Sequence, residues 1–107
     1  MRLAELDVHY FEDGNKELMG IAFLCPCCRR EYLTCFFREM PYAQQRELMR
    51  GVVSNVDEAS WIPAPSFVPH SFSGDIDRIT IRPAIDATSL GHAKVMISHD
   101  SVVHASH

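Results

Sequence analysis

The chain has 107 residues, 47% of them hydrophobic and 22% charged, which suits one domain able to bury its own core. Ten basic residues against fourteen acidic ones leave a net charge of -4, so a broad phosphate-neutralising surface is not expected and nucleic acid is an unfavoured partner. No apolar run approaches the ~20 residues that span a bilayer, and the opening Met1-Arg2-Leu3-Ala4-Glu5 turns acidic too early for a secretion signal. A cytoplasmic protein without membrane contact is the expectation.

In chain order, Leu3 to Phe11 alternates loosely, with Leu6, Val8 and Tyr10 on one side, and reads as a first strand. Asp13-Gly14-Asn15 signals a turn. Leu18 to Leu24 is a short apolar run typical of a buried strand, and Glu31 to Phe37 is rich in β-formers and returns as its partner. Between them stands Cys25-Pro26-Cys27-Cys28. Met40 to Gly51 is the clear helix, with Pro41 at a first helical position and Gly51 placed for a left-handed C-cap. Its apolar side uses Leu48, Met49, Val52 and Val53, so it should lie on the sheet.

Asn55 to Glu58 reads as an exposed link. Trp61 to Pro69 carries three prolines, which forbids a central strand and predicts an extended, packed loop. Phe72 to Asp77 turns through Gly74. Ile79 to Arg82 alternates cleanly, with Pro83 expected to end it. A polar turn leads from Ile85 to His92. Ala93 to Ser98 and Ser101 to Ala105 form a last hairpin around His99-Asp100. The fold class is therefore α+β: small, mostly antiparallel β, with a zinc-knuckle hairpin and one helix.

The cysteine turn carries the chemistry. A secreted disulfide framework spreads its cysteines, whereas three of the four here fall within four positions, which in a reducing compartment reads as metal binding or redox chemistry. Zinc in a structural site takes four thiolate or imidazole ligands in a tetrahedron. Cys25 and Cys28 have C-x-x-C spacing, Cys25 and Cys27 the C-x-C alternative, and spacing alone does not choose between Cys27 and Cys28. His92, which follows Gly91 and opens a strand, is the leading remaining ligand, with His70, His99, His104 and His107 in reserve. Cys35 points into a strand and reads as a small core residue. A redox motif of the thioredoxin kind needs a helix directly after the cysteines, and here a strand follows.

The residues also resemble a family of small uncharacterised proteins, read as zinc-binding, from phage genomes and bacterial gene clusters. Ala22-Phe23-Leu24-Cys25-Pro26-Cys27 matches its apolar strand and cysteine turn, and Trp61 its tryptophan. Gly74-Asp75 and Thr80-Ile81-Arg82-Pro83-Ala84-Ile85 match its second strand, and His92 with Val95-Met96-Ile97 its closing C-x-x-H hairpin. The resemblance implies one zinc-binding domain over residues 1–107, with the helix at 41–51 as an insertion. Ser89 stands where the family has a cysteine, so either Cys27 or a nearby histidine completes the ligand set or the site is weakened.

Three functions fit this reading. The first is a small zinc-stabilised binding protein, a phage factor acting on a host protein. The second is a zinc-dependent hydrolase or deaminase-like enzyme, with Cys25, Cys28 and His92 on the metal, water in the fourth position, and Asp86, Glu31 or Asp100 as base; no H-E-x-x-H or H-x-E spacing supports it. The third is nucleic-acid contact through Arg29-Arg30 and Tyr32, against which the net charge stands. Asp75-Ile76-Asp77 lacks the rest of a calcium loop and reads as a polar turn. Trp61 reads as core packing.

Overall fold

The computed structural model describes residues 1–54, 61–64, 70–87, 91–92 and 94–105. Ser89, His107, the link at 55–58 and the prolines at 65–69 lie outside the described residues.

Among the described residues, eight strands form two four-stranded sheets. The first sheet holds β1 (His9–Glu12), β2 (Leu18–Leu24), β3 (Tyr32–Phe36) and β4 (Trp61–Ile62), and the second holds β5 (Ser71–Ser73), β6 (Thr80–Asp86), β7 (Lys94–Ser98) and β8 (Ser101–Ala105), each in that spatial order. All pairings are antiparallel except β3 with β4, whose parallel register sets Tyr32 beside Trp61. A parallel pair needs a crossover, and that crossover carries the helix α1 (Tyr42–Met49). The α+β class expected from the sequence is the fold observed.

Period-two alternation sorts the side chains into two cores. Ile21 and Phe23 of β2 and Leu33 and Cys35 of β3 face the second sheet, where Ile81, Ile85, Val95 and Ile97 meet them in one buried cluster. The intervening Ala22 and Phe36 face the other way and pack with Met49 of α1, Met40 and Trp61. The molecule is thus layered helix, sheet, sheet. Leu48, Val52 and Val53 join the outer core, as the apolar side of the helix requires. Trp61 is 5% exposed, and its ring stacks on Tyr42 at 5.7 Å.

Two details fix the layers. Gly20 pairs with Phe11 on one side and Phe36 on the other, and those two rings stack across it at 5.9 Å. A Cβ at Gly20 would stand 2.5 Å from the Phe36 ring and 2.6 Å from the Cys35 carbonyl oxygen, so any side chain there forces its neighbours to shift. Gln45 is buried in α1, and its amide closes a ladder-like pair with Ala64, accepting from the Ala64 N–H at 2.9 Å and donating to the Ala64 carbonyl at 2.8 Å. A further bond to the Met40 carbonyl at 2.9 Å leaves both N–H donors and the carbonyl oxygen of the side chain with a partner.

Four local expectations are corrected. Leu3–Leu6 is a 3-10 helix with Leu3 and Leu6 buried, and the strand begins only at His9, because Asp7 between them takes a left-handed φ of 47°. The helix is shorter than expected, with Pro41 in the N-cap position. Gly51 has no positive φ; the end of the helix is closed by tightened bonds from Arg50 to Glu47 and from Gly51 to Leu48. Pro83 does not end its strand. β6 runs on to Asp86 through a register shift, in which Ile81 pairs with Ile97 and Ile85 with Val95, and the bulge absorbs the residue that lacks an N–H.

The final hairpin forms as expected. His99 and Asp100 both take positive φ, 50° and 66°, which is the pattern of a type I′ turn. The chain start is pinned onto it. The Leu3 N–H donates to the Asp100 carbonyl at 3.0 Å, the Val102 N–H donates to the Met1 carbonyl at 2.7 Å, and Arg2 reaches the buried Asp100 carboxylate at 3.1 Å.

Candidate metal centre

The turn from β2 into β3 is built by its own backbone. The Cys25 N–H donates to the Glu31 carbonyl at 2.8 Å, and the Arg29 N–H donates back to the Cys25 carbonyl at the same distance. Arg29 takes a left-handed φ of 54°, which reverses the chain and brings the side chains of residues 25, 27 and 28 to one side.

The histidine arrives from the other sheet. Gly91 takes a φ of 81°, a conformation glycine adopts without penalty, and the His92 N–H is held by the Ala87 carbonyl at 3.0 Å. This delivers the ring to the cysteine turn just before β7 begins.

The donor atoms of Cys25, Cys27, Cys28 and His92 all lie within 4.8 Å of one another. Cys25 Sγ stands 3.1 Å from Cys27 Sγ, and Cys28 Sγ stands 3.9 Å from His92 Nδ1. A zinc ion with thiolates at about 2.3 Å and imidazole at about 2.0 Å sets its ligand atoms roughly 3.5–3.8 Å apart. The two separations bracket that range and all four donor atoms lie within 4.8 Å of one another, so the cluster is of a size that could hold a metal ion once Cys25 and Cys27 move apart. The choice between Cys27 and Cys28 dissolves, because both are present in the cluster.

Surroundings add two features. His92 is 8% exposed, and its far nitrogen, Nε2, lies 3.1 Å from Glu31 Oε2. A carboxylate in that place holds the proton on Nε2 and turns the Nδ1 lone pair toward the three sulfurs, which is the usual outer support of a metal-bound imidazole. Sequence reasoning offered Glu31 as a catalytic base and missed this role; its position two residues before the β3 core gave no signal of a partner sixty-one positions away. The thiols crowd one another electrostatically. Without a cation the Cys27 thiol is pushed up to about 11, chiefly by the hydrogen bond shared with Cys25, then by burial and by the neighbouring sulfurs. A divalent cation reverses that preference by neutralising the thiolates.

The other candidates stand apart. His70 lies against the Ala84 carbonyl at 3.4 Å, and His99 Nδ1 against Ser98 Oγ at 3.2 Å. Among the described residues neither these nor His104 joins a metal-sized group. Cys35 is fully buried between the sheets, where burial pushes its thiol far above the ordinary range. Asp100, proposed above as a base, is buried at the opposite end of β7 and occupied by Arg2.

No protein-family model, curated protein or solved structure matches this chain.

What the cluster can do follows from its ligand set. The enzyme reading needs water as the fourth ligand beside Cys25, Cys28 and His92, whereas Cys27 lies in the same cluster and offers a fourth protein donor. Three of the donors sit in the turn between β2 and β3 and the fourth just ahead of β7, so an ion held by all four would tie the first sheet to the second at the cysteine turn. Zinc with three thiolates and a neutral imidazole is net negative, which gives Arg29-Arg30, directly after Cys28, a local charge to balance. Among the described residues no helix is long and apolar enough to cross a membrane.

Proposed function

We propose that this chain is a small zinc-stabilised binding protein whose ion clasps its two sheets together. One observation carries the reading: four soft and borderline donors, Cys25, Cys27, Cys28 and His92, converge within 4.8 Å across the sheet boundary with an outer carboxylate on the imidazole. Thiolate-rich tetrahedral sets select zinc over the hard cations, which take oxygen ligands. A closed set supports a structural role for the ion and leaves recognition to the protein surface. The resemblance to the phage-associated family adds a host protein as the class of partner and the cytoplasm as the place of action.

Cobalt substitution tests the site. Co2+ in place of zinc should give the strong visible bands of a tetrahedral, thiolate-rich centre, unchanged by azide or cyanide. A weak octahedral spectrum, or bands that shift as added anions occupy an open position, would move the reading toward the hydrolase. The partner class is tested with immobilised protein in host lysate: a host protein retained by zinc-loaded bait and lost from chelated bait supports it, and equal retention on both counts against it.

A further inference from the structure

The three sulfurs of the centre differ in access, and the difference points to regulation. Cys25 is fully buried, Cys28 is half-buried, and Cys27 is exposed at the tip of the turn. Cys25 Sγ lies 3.1 Å from its sulfur, closer than separate zinc ligands normally approach and within easy reach of a bond. An oxidant thus meets one thiolate first, and that thiolate has a resolving partner already in place. Cys35 is fully buried in the inter-sheet core and cannot compete.

Resting on the zinc reading above, we infer that the centre is a peroxide-sensitive latch: oxidation of Cys27, resolved by Cys25, expels the zinc and loosens the joint between the two sheets. The Cys27 thiolate attacks one oxygen of hydrogen peroxide. The O–O bond breaks, hydroxide leaves, and Cys27 becomes a sulfenic acid. The Cys25 thiolate then attacks the Cys27 sulfur. The S–O bond breaks, a second hydroxide leaves, and a Cys25–Cys27 disulfide forms. Two electrons pass from the two sulfurs to the peroxide. A disulfide carries no thiolate charge, so the ion keeps only Cys28 and His92 and departs as Zn2+. Thiol reductants reverse the step by exchange and restore the ligands.

The geometry gives the latch a mechanical consequence. His92 is the ligand contributed by the second sheet, and Cys28 lies 64 positions before it in the chain. Losing the ion removes that long-range link while leaving the β2–β3 hairpin intact. Oxidation therefore loosens the joint between the sheets without disturbing either sheet's own ladder.

The test uses the full chain loaded with one equivalent of zinc under reducing conditions, then freed of reductant and treated with hydrogen peroxide. Released zinc is followed with a chromophoric chelator, thiols are counted, and the product is mapped by peptide mass spectrometry. The expected result is one zinc released for each pair of thiols lost, a Cys25–Cys27 disulfide in the map, and recovery of zinc binding after reduction. Cys27→Ser should slow the release by roughly tenfold or more, because the accessible thiolate is gone. If that variant takes up no zinc, the disulfide map of the parent decides. A parent that binds zinc and keeps it in excess peroxide, or that loses it through a different disulfide or through irreversible sulfonic acids, overturns the latch and leaves the zinc reading standing. A parent that takes up no zinc in the first step overturns both.

Discussion

Removing the metal should cost this protein one long-range tie between its sheets, and His92 is the place to measure it. Cys28 and His92 are 64 positions apart. A cross-link over a loop of that length removes chain entropy from the unfolded state worth about 4 kcal/mol, by the same reasoning that applies to disulfides and metal clips. For a domain of this size each kcal/mol moves the melting temperature by about 4–8 °C, so chelation should lower it by roughly 15–30 °C. The assay is thermal unfolding by circular dichroism, parent and His92→Ala, each with zinc and with excess chelator. His92→Ala also loses packing at a site that is 8% exposed, but comparing the chelator effect within each protein cancels that loss. In the variant the three thiolates still bind an ion, yet they close only the short turn at 25–28, so chelation should matter little. Equal chelator-induced shifts in the two proteins would refute the clasp, because the ion would then be stabilising the turn alone.

Glu31→Ala should weaken zinc binding by about 10–100-fold, the usual cost of losing an outer carboxylate on a ligating histidine, and Glu31→Gln should lose less because it still accepts from Nε2; competition titration with a zinc chelator reads both. Gly20→Ala forces a methyl against the Phe36 ring and the Cys35 carbonyl, and overpacking of this kind costs about 1–3 kcal/mol in urea unfolding. Gln45→Glu replaces the donor to two backbone carbonyls with a charged acceptor in a buried place; it should destabilise by about 2–4 kcal/mol, and more than Gln45→Leu, which leaves the same carbonyls unpaired but buries no charge.

Local signals in the sequence carried the hairpins and the members of the cysteine–histidine cluster, and missed what depends on the other sheet. The C-x-C-C turn between two β-rich runs was legible because the spacing and the flanking strands are contiguous. His92 was legible from Gly91 and the strand that follows. The final hairpin was legible from its alternation, although its turn uses His99 and Asp100 in left-handed conformations usually given to asparagine and glycine. Three features were not legible. Leu3 and Leu6, three residues apart, share a face only in a helical turn, and the alternation of Leu6, Val8 and Tyr10 masked that signal. Pro83 ends a strand by every local rule, yet the bulge opposite β7 lets pairing resume at Ile85. Cys27 could not be ranked against Cys28, because the left-handed Arg29 that gathers both sulfurs is a conformation the sequence does not announce. The buried pairing of Gln45 with Ala64 was likewise hidden, since glutamine in a helix ordinarily marks its exposed face.

The most direct test is the metal content of the protein purified without added metal, determined by inductively coupled plasma mass spectrometry and compared with Cys25→Ser and His92→Ala. The account predicts one zinc per chain in the parent, with less zinc, more easily stripped by chelator, in both variants. A parent that emerges folded and free of stoichiometric metal, and takes up none on addition of zinc, would contradict it.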